Sequence, residues 1–90
     1  MKQVKGEEKG HIAIYTLSTC GWCKKTKRLL NEMGAEYEYT DVDLLEGEEK
    51  SKAIQELKLW NPQCTFPTLV INNKRIVGYD EEKIRKAVEP

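Results

Sequence analysis

His11-Ile12-Ala13-Ile14-Tyr15-Thr16-Leu17 runs through Ser18-Thr19 into Cys20-Gly21-Trp22-Cys23, and the fold follows from how that stretch is read. Its first seven residues are short and mostly apolar, as expected of a strand buried on both faces. Ser18 and Thr19 are candidate caps for what comes next. Cys23, Thr26, Leu30 and Met33 then recur at spacings of three, four and three, with Lys24, Lys25, Lys27 and Arg28 turned outward. That pattern is an amphipathic helix, and Gly34 stops it. The two cysteines therefore sit where a buried strand hands over to a helix.

Position and spacing both carry chemistry. Two residues between the cysteines let one helical turn bring both sulfurs within bonding range, which a disulfide requires. Cys20 falls at the helix N-terminus, where unpaired backbone N–H groups and the macrodipole favour an anion. A thiolate is stabilised at such a place, and the thiolate is the nucleophile of disulfide exchange. Cys23 lies one turn further in, on the buried side, so it is expected to keep a higher pKa and to act second. Lys24 and Lys25 oppose the dipole of the turn they occupy, at a cost of about a few tenths of a kcal/mol each. They suit a site that holds a thiolate and attracts an anionic or polar substrate. A solvated basic face of Lys24, Lys25, Lys27 and Arg28 is the plainer reading.

Beyond this helix, Glu36 to Val42 alternates with the period of a strand. Leu44 to Trp60 is helical for most of its length, with Ala53, Ile54, Leu57 and Trp60 on one side. Gly47 leaves its start open by several residues, and Asn61-Pro62 ends it, because the residue before a proline avoids helical angles. Thr68 to Ile71 and Lys74 to Val77 are short strands joined by Asn72-Asn73; Asn tolerates positive φ, so the pair reads as a tight hairpin. Asp80 caps a last helix that buries Ile84, Ala87 and Val88. The order β-α-β-α-β-β-α predicts an α/β domain with a four-stranded mixed sheet. Its first two strands are parallel through a right-handed crossover and its last two antiparallel.

Ninety residues allow one domain and not two. Residues 1–10 are mostly Lys, Glu and Gly with one Val and read as a flexible, solvated tail, which leaves 11–90 as the domain. The tail lacks the apolar segment of a secretory signal. No apolar stretch approaches the roughly 20 residues needed to cross a bilayer, so a cytoplasmic location is the default expectation. Fifteen Lys plus Arg balance fifteen Asp plus Glu, which gives no general reason to expect nucleic acid or an anionic membrane as partner. Three cysteines, an odd and small number, argue against a disulfide scaffold and leave chemistry or metal.

With these residues placed, the chain resembles a glutaredoxin, a protein of thioredoxin-like fold. The landmarks are Cys20-Gly21-Trp22-Cys23, Thr65-Phe66-Pro67 and Gly78-Tyr79-Asp80, in the family's order, and the likeness covers Ile12 to Val88. It implies a thiol–disulfide oxidoreductase in which Cys20 attacks a disulfide or a thiol-capped protein and Cys23 resolves. It implies a cis peptide bond before Pro67 that turns the Phe66 backbone toward Cys20 to pair with an extended substrate segment. An ordinary proline at the first residue of a strand is the alternative. It further implies that Gly78 and Asp80 hold the tail of the thiol substrate, with Tyr79 as a contact. Asp80 as a plain helix cap explains that residue almost as well. Gly21, Trp22, Lys24 and Thr65 complete the substrate-binding set expected from the likeness.

No tightly bound cofactor and no metal ligand are expected. The resemblance implies electrons from glutathione or another small thiol, or from an NADPH-dependent reductase resembling thioredoxin reductase. Partners would be disulfide-containing or thiol-capped proteins, met by a monomer. The chain reads Val77-Gly78 where many glutathione-using members have Gly-Gly. It reads Leu17-Ser18-Thr19 where they often have a lysine, and Gln63-Cys64 where a basic residue often precedes Thr-x-Pro. These departures keep a thiol other than glutathione open.

Cys64, three residues before Pro67, falls near the rim of such a site and is open to oxidation or a regulatory disulfide. A single extra cysteine is more often a small packed residue. His11 starts its strand at the end away from the cysteines and reads as a surface residue; Asp41 and Asp43 read as strand-end caps and turns. Trp60, Tyr37 and Tyr39 read as packing or surface. Two alternative functions use the same cysteines. Cys20, Cys23, Cys64 and His11 make four potential zinc ligands by count. An iron–sulfur carrier resembling some glutaredoxins would bridge a cluster through Cys20, although such carriers commonly read Cys-Gly-Phe-Ser and this chain keeps Cys23.

Overall fold

Every residue of Ile12–Thr16 is buried, which is what an apolar run covered on both faces requires. A computed structural model describes residues 1–88, so the last two positions of the 11–90 assignment lie outside the described residues. The elements are β1 (Lys2–Val4), β2 (Ile12–Thr16), α1 (Gly21–Glu32), β3 (Tyr37–Asp41), α2 (Gly47–Trp60), β4 (Thr68–Ile71), β5 (Lys74–Val77) and α3 (Glu81–Val88). They form one sheet in the order β1-β3-β2-β4-β5, with β2 and β3 parallel and the other neighbours antiparallel.

The period-two alternation of the strands divides the core. Ile12, Ile14, Leu69 and Ile71 face one way and meet Leu29 and Leu30 of α1 and Ile84 and Val88 of α3. Tyr15 and Val70 face the other way and meet Leu57 of α2 together with Val42. Helices thus cover both faces, as the apolar run in β2 demanded. Leu29 joins this core although the helical spacing read from the sequence passed it over, while Met33 is only partly buried.

The expected four-stranded sheet has five strands, and the expected solvated tail supplies the fifth. Lys2, Gln3 and Val4 pair antiparallel with Tyr39, Glu38 and Tyr37 of β3. Beyond that strand the Glu7 N–H donates to the Gly34 carbonyl at 2.8 Å, and the Glu36 N–H donates to the Glu7 carbonyl at 2.9 Å. Gly6 permits this approach, since a Cβ there would stand 2.8 Å from the Gly34 oxygen. The physical reason is that β3 would otherwise present an unpaired edge, and backbone groups at an edge accept almost any extended partner. After β3 the chain makes a single 3-10 turn at Val42–Leu44, and α2 begins only at Gly47 rather than at Leu44. Asn72 and Asn73 have φ of 51° and 66°, the left-handed pair expected of the hairpin.

The turn between α2 and β4 is built on one buried amide. Asn61, 4% exposed, donates from Nδ2 to the Thr65 carbonyl, to Thr65 Oγ1 and to Thr68 Oγ1, and its Oδ1 accepts from the Gln63 N–H. Asn61→Ala is expected to cost about 1–3 kcal/mol by leaving these partners unmet. For a domain this size that lowers Tm by roughly 4–8 °C per kcal/mol, readable by calorimetry.

Two buried groups make stability depend on alkaline pH. The Tyr15 hydroxyl is pushed up to about 12, by burial first and then by the Glu56 carboxylate, whose Oε2 it meets at 3.3 Å. The Cys23 thiol is likewise pushed up to about 12, by burial first and then by its hydrogen bond with Cys20. Both are neutral in the folded chain and ionise sooner in the unfolded one. Their contribution is therefore complete below about pH 9 and is lost as pH climbs toward 12. Denaturation midpoints are expected to fall steadily above pH 9, and less steeply in Tyr15→Phe.

Candidate active site

β2 leaves the core at Thr16, and the chain must climb from the sheet to the start of α1 in four residues. Asp43 makes this possible. Its Oδ1 accepts the Ser18 N–H at 2.8 Å and its Oδ2 accepts the Ser18 hydroxyl at 2.5 Å. These bonds, the hydroxyl's first, hold the Asp43 carboxyl below the usual carboxylate range. The Cys20 N–H then donates back to the Leu17 carbonyl at 3.1 Å, closing the turn.

The helix cap is neither Ser18 nor Thr19, the two candidates from the sequence. It is Cys20, whose backbone is extended (φ −81°, ψ 118°) and whose sulfur accepts the Cys23 N–H at 3.2 Å. Ser18 is instead committed to Asp43, which leaves the sulfur as the acceptor in reach of the first turn. Cys20 is half-buried, and Cys23 is fully buried one turn later. The two thiols thus differ in the way the helix pattern implied: the outer one is accessible, and the inner one is held protonated by burial up to a pKa of about 12.

A cavity of about 240 Å³ is lined by Trp22, two residues after Cys20, together with Phe66, Pro67, Gly78 and Tyr79. The Phe66–Pro67 peptide bond is cis, as the resemblance implied. The Gly78 N–H donates to the Pro67 carbonyl at 2.8 Å, and Gly78 has φ +84°, where a side chain is strained. Trp22, 58% exposed, stacks on Tyr79 with ring centroids 5.7 Å apart. Lys25 Nζ stands 5.2 Å from the Trp22 ring and 5.4 Å from the Tyr79 ring, so two aromatic faces share one cation.

Five of the residues expected at the site therefore line one cavity, and others do not. Gly21 opens α1 next to Cys20, with nothing within 4 Å of where a Cβ would stand. Lys24 is exposed on α1, and Lys25 is the lysine over the aromatic pair. Lys24, the lysine expected in the binding set, makes no such contact with the aromatic pair, and Lys25 does. The spacing of three from Trp22 to Lys25, neighbours on a helix surface, was the signal for the other choice. Thr65 is turned to Asn61 through Oγ1. Asp80 accepts the Lys83 N–H at 3.1 Å as the cap of α3 and lines a different cavity, of mixed polar and apolar walls, with Asn61, Arg75, Ile76, Val77 and Lys83. Cys64, at φ +52°, packs half-buried against Tyr15, Val42, Leu57 and Val70. Among the described residues no group of three or more His, Cys, Asp and Glu side chains comes together to hold a metal ion, so His11 and Cys64 do not join the pair. No helix among the described residues is long and apolar enough to cross a membrane.

Known proteins are similar to this chain in sequence and fold. The glutaredoxin family model matches residues 12–76. Glutaredoxin 1 of Rickettsia bellii is 37% identical over 71 residues, which cover 78% of this chain and 70% of that one. Among solved structures, methanoredoxin of Methanosarcina acetivorans superposes with a TM-score of 0.88 at 52% identity, covering 92% of this chain and 88% of that one. The glutaredoxin of Methanosarcina mazei Go1 does so with a TM-score of 0.89 at 45% identity, covering 97% and 85%. A cysteine pair at the start of α1, a family model matched over most of the length and relatives matched over three quarters of it or more have one meaning: this chain belongs to the glutaredoxin family, whose general activity is thiol–disulfide exchange.

Proposed function

We propose that the chain reduces protein disulfides and mixed disulfides through Cys20 and Cys23, acting as a monomer in a reducing compartment such as the cytoplasm. The observation that carries this reading is the asymmetry of the two thiols: Cys20 half-buried at the cap, Cys23 buried and protonated behind it. The Cys20 thiolate attacks one sulfur of a substrate disulfide, forms a mixed disulfide and expels the other half as a thiolate. Cys23 then loses its proton and attacks the Cys20 sulfur. The Cys20–Cys23 disulfide forms, the bond to substrate breaks, and the second half leaves as a thiol with that proton. Two electrons have passed from the pair to the substrate, and a small thiol or a reductase returns them.

The aromatic cavity is the place for the substrate group next to the attacked sulfur. Trp22, Tyr79 and Phe66 supply apolar walls, the cis Phe66–Pro67 segment offers backbone, and Lys25 adds a cation. Gly78 keeps the approach open. Asp80 serves this cavity through the start of α3 that it caps, directly after Gly78 and Tyr79, and Thr65 through its anchor to Asn61. Glutathione fits the family's chemistry, and an NADPH-dependent reductase is the other source of electrons.

Reduction of a disulfide substrate with glutathione, its reductase and NADPH, run against thioredoxin reductase and NADPH, tests the reading and picks the reductant. Activity with neither overturns it. Cys20→Ser is expected to fall to background with both, whereas Cys23→Ser traps the mixed disulfide and retains activity on glutathionylated protein. Iodoacetamide at pH 7 is expected to label Cys20 and leave Cys23 unreacted, because burial keeps the inner thiol protonated.

A further inference from the structure

Where β2 turns up toward the cysteines, Thr16 pairs with Asp41 of β3. Asp41 is closed in there. The fully buried Thr16 hydroxyl lies 2.5 Å from Asp41 Oδ1, and Lys27 Nζ lies 3.2 Å from the same oxygen. The Lys27 ammonium also stands 4.0 Å from the centre of the Tyr39 ring. The two charged side chains are only 22% and 15% exposed. A long side chain that would ordinarily sample solvent is thus fixed by two contacts. It belongs to the residue four after Cys23 on α1, the spacing that stacks two side chains on one helical face.

Cys23 must ionise before it can attack, and its surroundings resist that. Desolvation is the chief obstacle, followed by the hydrogen bond and the charge of Cys20. Once Cys20 is in a mixed disulfide it no longer carries a negative charge, and that opposition is gone. On the favourable side stand two groups, the Leu17 backbone N–H from the end of β2 and the Lys27 charge from α1. Cys20 and Lys27 are the titratable groups acting on the Cys23 sulfur, while Asp41 and Tyr39 of β3 face Lys27. Thr16, from β2, does not titrate.

We propose that Lys27, clamped by Asp41 and Tyr39, is a positioning residue for the second step of exchange, its fixed cation favouring the Cys23 thiolate as that sulfur attacks Cys20. The proposal rests on the dithiol reading above. In the step it assists, the Cys23 thiolate forms a bond to Cys20 Sγ, the Cys20–substrate S–S bond breaks, and the substrate thiolate takes up the proton that Cys23 released. No other oxidant or reductant enters. A cross-strut between α1 and β3 would explain the ion pair alone. It would not act on one chemical step and spare the other.

The two steps are separable with dithiodipyridine, a neutral disulfide that releases one coloured pyridinethione when Cys20 attacks and a second when Cys23 resolves. In a Cys64→Ser background by stopped flow, Lys27→Met is expected to leave the first release unchanged. It should slow the second about three- to tenfold at pH 7, the loss of one nearby charge tempered by the greater nucleophilicity of a more basic thiolate. Removing the cation raises the Cys23 pKa, so the rising limb of the second release moves up by about one pH unit. Lys27→Arg keeps the charge and is expected to restore most of the rate, and the Tm of both variants shows that each is folded. A second release with unaltered rate and pH limb in Lys27→Met overturns the proposal, as does equal slowing of both releases. Wild type that yields only one pyridinethione overturns the dithiol reading itself, a result distinguishable from either.

Discussion

The N–H of Cys23 has no acceptor within its own helix, because the first turn of any α-helix leaves its donors unpaired. What it meets is the sulfur of Cys20 at 3.2 Å, and the rest of the site follows from that bond. A sulfur used as a cap is held at the helix start and half exposed, while helical geometry carries the residue three positions on into the core. Two chemically identical side chains are thereby placed in unlike surroundings without any further device. The loop leading to the cap has to be short and rigid for this to hold. Asp43 in the 3-10 turn and Asp41 at the end of β3 secure it, one through Ser18 and the other through Thr16.

The parts of this arrangement that depend on neighbours in sequence were legible from the chain. The period of α1, the Asn72-Asn73 hairpin and the Asp80 cap are local matters of spacing and permitted φ, and the structure contains each of them. Residues decided by a distant partner were not. Lys2-Gln3-Val4 has one apolar residue in three and no strand signal of its own; it is a strand because the edge of β3 was free. Ser18 has the composition of a cap and failed as one because Asp43, 25 positions away, took its hydroxyl. Lys25 and Lys24 are equal as letters, and only the position of Tyr79 across the cavity separates them.

The same distinction governs the charges. A chain with fifteen bases and fifteen acids carries no net field worth arguing from, yet three lysines within four positions of α1 meet three different fates. Lys24 is solvated, Lys25 lies against two aromatic faces at the mouth of the cavity, and Lys27 is drawn down onto Asp41 beneath the cysteines. Lys25 and Lys27 are therefore each held by contacts of their own, one at Trp22 and Tyr79 and the other at Asp41 and Tyr39. Water screens a mobile charge well and a half-buried, anchored one poorly. Lys24 and Lys25 are exposed, so of the three it is the half-buried Lys27 whose charge water screens least. A separation of two residues along the helix is what directs Lys25 and Lys27 to different sides of it.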